Sequence, residues 1–324
     1  MVRPSTVPFH VATLNVRRLA SNDRLIELQT ALRDVKVDVL VLTELRWRGI
    51  GALDLADSDY RFYHAGPADN NDTSGTGFLI SSRLQQQVQG FERVSGRVSF
   101  IDIRLGRKTL RIYAVYAPST TGNDDHDDAA YEVFLNNLAQ TLLLNRSLTS
   151  SQSADYTQPA SEMHQIVLGD FNAKVGMQQP YERSIGKFSY SNQNERGHML
   201  IDFCKDLQLQ VFNSFFKKLI ARKWTWRSPN GRTKNEIDFV LAPHNSIFTK
   251  DVCVVASFNF YSDHHLLRAT LHFNHPARKR RLQPNYCHAE PQPRGPTFLN
   301  KNIYQFAINQ LRDQMPLPTA SLDV

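Results

Sequence analysis

Carboxylate, amide, phenol and imidazole side chains recur where buried-looking strands of this 324-residue sequence begin or end. Each of these polar residues lies within or next to an apolar stretch that is typical of a strand. The residues are Asn15, Glu44, Tyr116, Asp170, Asn172, Asp238, Asp263 and His264. Polar groups at the ends of packed strands converge on one rim of a fold, where a site can form. We therefore expect these side chains to meet.

The chemistry of such a set is that of a hard divalent cation. Mg²⁺ prefers oxygen ligands, keeps several waters and is often held by one or two carboxylates together with a substrate phosphate. A metal that polarises a phosphoryl oxygen, a carboxylate that aligns a water and donors around the phosphorus make a phosphodiesterase. Only the whole set supports this hypothesis, because a single Asp after a strand is more often a turn or cap residue.

The elements that must position these residues are many strands and few helices. Strands are predicted at 9–15, 37–42, 76–80, 97–103, 109–116, 165–169, 209–213, 236–241, 252–258 and 266–273. Helices are predicted at about 22–35, capped by Asn22, and at about 129–144 and 195–207. Many strands with few helices between them indicate two packed sheets flanked by helices.

The chain is predicted to consist of one domain, at 9–274, preceded by an N-terminal extension at 1–8. After residue 274 come several prolines, the basic run Arg278–Arg281 and a short helical pattern near 300–313, which together predict a basic tail at 275–324. The polar stretch 145–162 is rich in Ser, Thr and Gln and predicts a surface loop.

Composition excludes several classes of protein. With 41% hydrophobic and 21% charged residues, the chain can bury a core and is not wholly disordered. No apolar run approaches the ~18 residues of a membrane span, and the N-terminus has no secretory apolar region. The cysteines Cys204, Cys253 and Cys287 have no metal-type spacing and predict reduced thiols in an intracellular protein. The formal net charge of +7 suits a polyanionic partner such as nucleic acid, although charge alone decides nothing.

A set of short motifs follows one another in a fixed order between about residues 9 and 273. The motifs are Thr13–Arg17, Leu42–Trp47, Gly75–Ile80, Val115–Pro118, Leu168–Ala173, Asn194–Gly197, Trp224–Pro229, Ile237–Asp238 and Ser262–His264. In this order they resemble the endonuclease/exonuclease/phosphatase superfamily, whose fold is like that of DNase I. More narrowly, they resemble the endonuclease domain of non-LTR retrotransposons, to which craniofacial development protein 2 is related.

The resemblance implies an α/β fold, a four-layer α/β sandwich of two packed mixed β-sheets flanked by helices. It implies a metal site in which Glu44 is the principal ligand, Asn15 lies beside it, and Asp263 lies near the metal and the leaving group. The implied cofactor is Mg²⁺, for which Mn²⁺ can substitute.

The resemblance also implies catalytic roles. Asp170 orients or deprotonates the attacking water, and Asn172 holds a phosphate oxygen. His264 contacts the scissile phosphate, and Asp238 fixes its tautomer and favours its charged form. Tyr116 donates to the phosphate or to the leaving oxygen. Whether Asp170 or His264 is the general base stays open at the level of sequence.

The segment between Trp226 and Asp238 contains the hairpin turn signal Asn230-Gly231 and several basic residues. Such residues could reach phosphates or the minor groove. In the retrotransposon endonucleases, the hairpin at this place contacts DNA and shapes target choice. The predicted DNA-binding residues are Thr225, Arg227, Asn230, Arg232, Lys234 and Ser262, of which Thr225 and Ser262 make supporting hydrogen bonds.

The predicted function is a Mg²⁺-dependent endonuclease that nicks double-stranded DNA to give 3′-hydroxyl and 5′-phosphate ends, in the nucleus, with no membrane partner and no small-molecule cofactor. The alternatives are an abasic-site repair endonuclease and a nucleic-acid- or chromatin-binding protein with a vestigial site. A phosphatase of small or lipid substrates is disfavoured by Tyr116 and the basic hairpin. Because no reverse transcriptase follows, we expect a domesticated nuclease, a fragment of a mobile element or a truncated chain.

Overall fold

The computed structural model describes residues 8–19, 21–55, 58–67, 74–120, 122, 124–151, 162–190, 192–244 and 248–273. Residues 1–7 of the expected N-terminal extension, residues 152–161 of the expected loop and the whole expected basic tail lie outside the described residues. The domain boundaries therefore stay predictions.

The described chain is built mainly from strands. They are β1 (Pro8–Asn15), β2 (Val39–Thr43), β3 (Ile50–Asp54), β4 (Tyr60–Ala65), β5 (Thr76–Ser81), β6 (Val88–Arg93), β7 (Val98–Leu105), β8 (Lys108–Tyr116), β9 (Glu162–Asp170), β10 (Leu209–Val211), β11 (Trp226–Arg227), β12 (Lys234–Asn235), β13 (Asp238–Pro243), β14 (Thr249–Val254) and β15 (Leu267–His272). The α-helices are α1 (Asn22–Leu32), α2 (Asp124–Ser151) and α3 (Glu195–Asp206), and short 3₁₀ turns span Ser82–Gln87, Phe212–Phe215 and Ile220–Arg222. No helix in this described part of the chain has the length and apolar character that a membrane span requires.

The strands form two large mixed sheets and one small hairpin. The first sheet has the order β14-β15-β1-β2-β5-β4-β3, the second has the order β10-β13-β9-β8-β7-β6, and β11 pairs with β12. In the second sheet β8 runs parallel to β9, and β13 runs antiparallel to β9, so Asp170 lies opposite both Tyr116 and Asp238. In the first sheet β1 runs parallel to β2, with Asn15 opposite Thr43. The strand ends that carry the candidate residues therefore gather at one rim.

Alternation along the strands sorts the apolar residues into layers. In β2, Val39 and Val41 belong to the core between the two sheets, whereas Leu40 and Leu42 belong to the cluster under α1. Successive side chains of a strand point to opposite faces, so the continuous apolar run of β2 is buried on both faces. Burial of each large aliphatic side chain stabilises the fold by roughly 1.5–3 kcal/mol. Helices α2 and α3 cover the outer face of the second sheet. The structure confirms the four-layer α/β sandwich.

Two helix predictions need correction. The N-cap of α1 is Ser21 and not Asn22, because the Ser21 hydroxyl accepts the Arg24 amide at 3.3 Å, and the helix ends at Leu32 rather than near residue 35. Helix α2 spans Asp124–Ser151, so residues 145–151 of the expected surface loop are helical. Ser, Thr and Asn lower helix propensity by well under ~1 kcal/mol each, too little to end a long helix.

The strands β3, β4 and β6 were not predicted. β3 and β6 are edge strands, and β3 has no fully buried residue, so its sequence lacks the apolar alternation by which a half-buried strand is recognised. Gly51 in β3 and Gly90 in β6 weaken the signal further because glycine disfavours strands. The third missed strand, β4, lies between β5 and the edge strand β3 in the first sheet.

Candidate active site

The rim of the sandwich brings one set of predicted residues into direct contact. The Asn15 amide Nδ2 at the end of β1 donates to Asp170 Oδ2 at the end of β9 at 2.9 Å. His264 Nδ1 lies 2.8 Å from Asp238 Oδ2, and His264 Nε2 lies 3.8 Å from Asp170 Oδ2. Asn15, Asp170, Asp238 and His264 are all buried. We refer to these four residues, which are candidates for catalysis, as the catalytic cluster.

Glycine makes the approach of Asp170 to its neighbour strand feasible. Gly169 has φ +154°, and a Cβ at that position would lie 1.8 Å from the Val115 carbonyl oxygen of β8. No side chain fits there, so the glycine allows β9 to place Asp170 opposite Tyr116. The turn that follows β9 also has an unusual backbone, because Asn172 adopts the left-handed conformation with φ +47°.

The hydrogen bonds of Asn172 fix the carboxylate from the other side. The Asn172 backbone amide donates to Asp170 Oδ1 at 3.0 Å, and its side-chain Nδ2 donates to the Ala117 carbonyl at 2.9 Å. Both oxygens of Asp170 thus accept a hydrogen bond, from Asn172 and Asn15. The predicted grouping of Asn172 with Asp170 is present in the structure, and its role toward phosphate stays a prediction.

Burial and charge perturb the titration of the cluster. Burial raises the pKa of Asp170 to about 7, the negative charge of Asp238 adds to the effect, and His264 and Asn15 oppose it. Burial alone would lower the pKa of His264, but Asp238 and then Asp170 outweigh burial and raise it to about 9. His264 is therefore an imidazolium between two carboxylates at neutral pH.

Asp170, Asp238 and His264 also place one potential metal-ligand atom each within 4.8 Å of one another. An imidazolium carries a proton on each nitrogen and offers no lone pair to a cation. A metal that used His264 as a ligand would therefore have to displace a proton first. In the protonated state, the three residues are arranged for proton transfer and for phosphate binding.

A second group of residues surrounds Glu44 just after β2. Glu44 and Arg46 both have positive φ, +55° and +58°, and Arg46 Nη2 donates to Glu44 Oε1 at 2.7 Å. The strained backbone is held by the Arg18 amide, which donates to the Glu44 carbonyl at 2.9 Å. Non-glycine residues in this conformation persist only where their surroundings over-determine them, as at binding sites.

Tyr116 links the Glu44 group to the catalytic cluster. The charges of both Glu44 and Asp170 act on its phenol. Burial, followed by the charges of Glu44 and Asp170, raises the pKa of Tyr116 above its ordinary value. The phenol consequently keeps its proton at neutral pH and remains a donor beside both carboxylates.

The donor set around the rim fits a hard divalent cation. Carboxylate oxygens are what Mg²⁺ prefers, and Glu44 supplies two of them. In addition, Asp263 Oδ1 and Asp238 Oδ1 are buried without a hydrogen-bond partner among the described residues. An orphaned buried carboxylate oxygen is the type of acceptor that a cation or an ordered water satisfies. The other oxygen of Asp263 contacts Trp226 Nε1 at 3.3 Å and Arg17 Nη1 at 3.7 Å.

Asn15 was expected beside Glu44, but the side chain to which it is hydrogen-bonded is that of Asp170. Its Oδ1 accepts the Arg17 amide at 2.9 Å, and its Nδ2 donates to Asp170. Its backbone carbonyl accepts the Ser262 hydroxyl at 2.7 Å, and that same hydroxyl accepts the His264 amide at 3.0 Å. The Ser262 hydroxyl therefore joins the end of β1 to the His264 backbone, and its expected contact with DNA stays a prediction.

Thr225 requires a correction. It was predicted among the residues that bind DNA, but it is fully buried and unreachable for DNA. Its hydroxyl accepts the backbone amides of Ile237 and Asp238 at 3.1 and 3.0 Å. Thr225 therefore fixes the start of β13, and with it the carboxylate that faces His264.

The predicted hairpin exists as β11 and β12, joined by a loop over 228–233 that holds the Asn230-Gly231 signal. Asn230 Oδ1 accepts the Arg232 amide at 3.1 Å, and Gly231 has φ +71°. The hairpin is anchored beside the catalytic cluster, because the Arg227 amide donates to the Asp263 carbonyl at 2.9 Å. The predicted DNA-binding residues Arg227, Asn230, Arg232 and Lys234 are all exposed on it.

Several arginines around the site had no predicted role. Arg17 contacts Asp263, Arg46 contacts Glu44, and Arg97 Cζ lies 5.2 Å from the centre of the Tyr116 ring. Arg17 and Arg46 stand two residues after Asn15 and Glu44, within the ordered motifs. Their position two residues after a strand-end polar residue is the signal that could have identified them.

The Endonuclease/Exonuclease/phosphatase family matches residues 12–264 of the chain. The match covers more than half of the sequence, and the chain belongs to this family. The resemblance predicted from the ordered motifs is thus confirmed. Members of the family are typically phosphodiesterases or nucleases, so the rim residues form the candidate active site of such a protein.

The chain is also similar in sequence to a curated protein. Craniofacial development protein 2 of Tragulus javanicus is 28% identical over 233 residues, which are 71% of this chain and 36% of that protein. The chain therefore spans little more than a third of the length of that curated relative.

Two solved structures share the fold. AP endonuclease LMAP from Leishmania major has a TM-score of 0.59 at 16% identity, covering 83% of this chain and 88% of its own. The endonuclease domain of TRAS1, a telomere-specific non-LTR retrotransposon, has a TM-score of 0.52 at 12% identity, covering 81% and 98%. At these identities the likeness establishes the fold alone.

Proposed function

We propose that the protein is a Mg²⁺-dependent phosphodiesterase that nicks double-stranded DNA and leaves 3′-hydroxyl and 5′-phosphate ends. The observation that carries this proposal is the position of His264 between two buried carboxylates, 2.8 Å from Asp238 and 3.8 Å from Asp170. A charged donor and a carboxylate base side by side are what an in-line attack of water on a phosphate requires.

In the proposed mechanism Asp170 is the general base. Its raised pKa, about 7, lies near neutral pH, where a carboxylate both ionises and accepts a proton effectively. The hydrogen bonds from Asn15 and Asn172 orient its oxygens for a water in the rim. This assignment leaves His264, which is charged, as the donor to the scissile phosphate rather than as the base.

The remaining residues bind and orient the phosphate. Asp238 holds Nδ1 of His264, so the opposite nitrogen carries the proton that contacts a phosphate oxygen. Tyr116, whose phenol keeps its proton, donates to the phosphate or the leaving oxygen. Asn172 is proposed to hold a further phosphate oxygen. These donors stabilise charge that develops in the transition state.

Glu44 would be the principal residue that holds the cation, and Asp263, with its orphaned Oδ1, would contribute from the side of the leaving group. When bound, Mg²⁺ or Mn²⁺ would polarise a phosphoryl oxygen and neutralise its charge. Asn15 would contribute through its amide oxygen, which accepts the Arg17 amide with one lone pair and keeps the other for the cation.

The proposed substrate is DNA because the surface beside the catalytic cluster is cationic. Arg227, Arg232 and Lys234 stand exposed on the anchored hairpin, and the chain carries a net charge of +7. Phosphate contacts from such residues supply most non-specific DNA affinity. The proposed location is the nucleus, on the basis of the run Arg278–Arg281.

A plasmid nicking assay tests the proposal. Purified wild type, Glu44→Ala and Asp170→Ala are incubated with supercoiled plasmid in Mg²⁺ or in EDTA, beside Asp202→Ala, which removes an exposed carboxylate on α3. We expect Mg²⁺-dependent open circles with wild type and Asp202→Ala and none with the other two variants. Extension of the nicks by a polymerase without prior end repair would support the 3′-hydroxyl end.

Absence of nicking by folded wild-type protein would contradict the proposal. Cleavage of an abasic-site duplex by that protein would then support the repair alternative. DNA binding without cleavage of either substrate would support the binding-only alternative, with steep salt dependence as its signature.

A further inference from the structure

A pocket of about 570 Å³ lies beside the candidate active site and has no role in the proposed mechanism. Its lining consists of Arg17, Arg18, Ser21, Arg24 and Tyr261. The described lining thus combines three cations with one aromatic ring and contains no carboxylate. Guanidinium groups bind phosphate in a bidentate manner, and an aromatic ring offers a face to a nucleobase.

The pocket borders the catalytic cluster directly. The Arg17 amide donates to Asn15 Oδ1 at 2.9 Å, and its Nη1 lies 3.7 Å from Asp263 Oδ2. On the other side, Tyr261 immediately precedes Ser262, whose hydroxyl donates to the Asn15 carbonyl. A group bound here would be a neighbour of the phosphate at the active site.

The two arginines at the mouth of the pocket are held in an unusual backbone conformation. Arg17 and Arg18 have φ +49° and +96°, and both side chains are exposed. The Arg18 amide donates to the Glu44 carbonyl at 2.9 Å, and the following Leu19 amide donates to the Leu45 carbonyl at 3.1 Å. Strain of this type persists where the surroundings impose it, and it presents two adjacent guanidinium groups to solvent.

The tyrosine is fixed from beneath by helix α1. Arg24 Nη2 donates to the carbonyls of Tyr261 and Val16 at 2.7 and 3.2 Å, and Arg24 Cζ lies 4.1 Å from the centre of the Phe260 ring. Glu27 accepts the Tyr261 amide at 3.0 Å and pairs with Arg24 at 2.6 Å. The backbone of Tyr261 is therefore anchored, and Arg24 Cζ also lies over the tyrosine ring, 5.9 Å from its centre, while most of the side chain remains exposed.

An anchored aromatic residue with a largely exposed ring offers a stacking surface. Tyr261 is 79% exposed, although the neighbouring Phe260 is buried. Stacking of bases on exposed aromatic rings tolerates any base sequence, because every base has a π-face. A base inside a duplex already stacks on both neighbours, so only an unpaired base can reach the ring.

We propose that this pocket binds one unpaired nucleotide next to the scissile phosphate. Arg17 and Arg18 hold the phosphate of that nucleotide, and Tyr261 stacks on its base. The consequence is a preference for DNA with an unpaired base over fully paired DNA. This inference rests on the proposed function, whose substrate it narrows.

Fluorescence anisotropy in EDTA tests the preference without hydrolysis. The full chain is titrated with two duplexes of equal length, one fully paired and one with a single unpaired 2-aminopurine. Tyr261→Ala should weaken binding of the second duplex about tenfold or more and leave binding of the paired duplex within about twofold. Tyr261→Phe, which keeps the ring, should bind both duplexes like wild type.

Tyr181→Ala is the matched control, since Tyr181 is fully exposed and does not line the pocket. It should change neither affinity. The fluorescence of 2-aminopurine should be quenched by wild type and Tyr261→Phe but not by Tyr261→Ala, because stacking on the ring is the cause. The double variant Arg17→Ala/Arg18→Ala should lower the salt dependence of binding to both duplexes.

Equal binding of the two duplexes by wild type, or an equal loss on both from Tyr261→Ala, would overturn the inference. These outcomes are separate from failure of the proposed function. If Mg²⁺ produces nicks but wild type binds both duplexes equally, only the pocket inference fails. If the preference is present but Mg²⁺ produces no nicks, the pocket stands and the nuclease proposal fails.

Discussion

His264 Nδ1 lies 2.8 Å from Oδ2 of Asp238, and both side chains are buried. The carboxylate is fixed because the Asp238 amide donates to the buried Thr225 hydroxyl at 3.0 Å. The imidazole is fixed because the His264 amide donates to Ser262 Oγ at 3.0 Å. Asp238 thereby keeps His264 protonated at neutral pH, and loss of this pair should be visible in stability as well as in activity.

The stabilisation from this pair should depend on pH. Asp238 and Asp170 outweigh burial and raise the pKa of His264 from 6.5 to about 9. A folded pKa above the unfolded one gives stability that is complete below about pH 6.5 and is lost as the pH rises through 9. Asp238→Asn should therefore destabilise the protein more at pH 6 than at pH 10, by on the order of 2 kcal/mol.

Urea unfolding of wild type and Asp238→Asn in EDTA, at a series of pH values, measures this difference. Asp202→Asn, which changes an exposed carboxylate, serves as the control and should show a small difference that hardly varies with pH. A stability difference between wild type and Asp238→Asn that stays constant from pH 6 to pH 10 would contradict the charged state assigned to His264.

Removal of His264 should separate catalysis from binding. His264→Ala is expected to slow nicking by about 10²–10⁴-fold, the usual contribution of a positioned proton donor, and to change DNA affinity little. The neighbouring His265 is the matched control. Its ring lies 4.0 Å from that of Trp224, and burial lowers its pKa, so it is neutral. His265→Ala should nick almost as fast as wild type.

Single-turnover nicking and anisotropy on the same DNA provide the two readouts. If His264→Ala lost binding and nicking in the same proportion, the imidazole would serve affinity and not the chemical step. A large loss in His265→Ala with normal nicking by His264→Ala would assign the donor role to the second imidazole.

Arg46 should compete with the cation for Glu44. Its guanidinium donates to Glu44 Oε1 at 2.7 Å, so a metal must share or displace that contact. Arg46→Met keeps the length of the side chain and removes the charge, and it should strengthen Mg²⁺ or Mn²⁺ binding up to about fivefold, the scale of a partly exposed ion pair. Calorimetric titration of the metal without DNA measures the affinity.

Arg48→Met is the control for that experiment, because Arg48 is exposed and makes no ion pair among the described residues. It should leave metal affinity nearly unchanged. Weaker metal binding by Arg46→Met would mean that Arg46 orients the Glu44 carboxylate for the cation instead of competing with it.

The central strands and the convergence of the site were predictable because both follow from local patterns. The sequences of four central strands are either alternating or continuously apolar, and the observed bounds lie within about three residues of the predicted ones. These strands are β1, β2, β8 and β9. Asp170 and His264 were found because a polar residue beside such a strand is conspicuous. The pairing of these strands then brings distant residues together without further information.

The functions of Thr225 and Arg46 could not be predicted in the same way. Thr225 is an ordinary threonine in sequence, and only the path of β13 shows that its hydroxyl is buried under two backbone amides. Arg46 reaches Glu44 because two residues adopt a positive φ, which is imposed by hydrogen bonds from Arg18 and to Ser74. Such long-range constraints leave no periodic signal.

Arg196 should be important for stability, although its hydrogen bonds are to Pro118, Asp127 and Asp128 rather than to the catalytic cluster. It is 2% exposed, and its Nη1 and Nη2 donate to the carbonyls of Pro118 and Asp127 at 2.6 and 3.1 Å. Arg196→Met fills similar volume but leaves both carbonyls without this donor, so we expect a loss of about 3 kcal/mol in the free energy of unfolding. Urea unfolding measures it, and a loss under ~1 kcal/mol would contradict the prediction.

The salt dependence of DNA binding should identify the hairpin as part of the interface. Arg232 is exposed on the hairpin loop, and removal of one cation that pairs with a phosphate should reduce the slope of log affinity against log salt by roughly one. Arg232→Ala should therefore weaken binding and flatten that slope. Arg104→Ala, which removes an exposed arginine near the opposite end of β7, should leave the slope unchanged. Anisotropy at several salt concentrations gives both slopes, and equal slopes for wild type and Arg232→Ala would exclude Arg232 from the residues that bind phosphate.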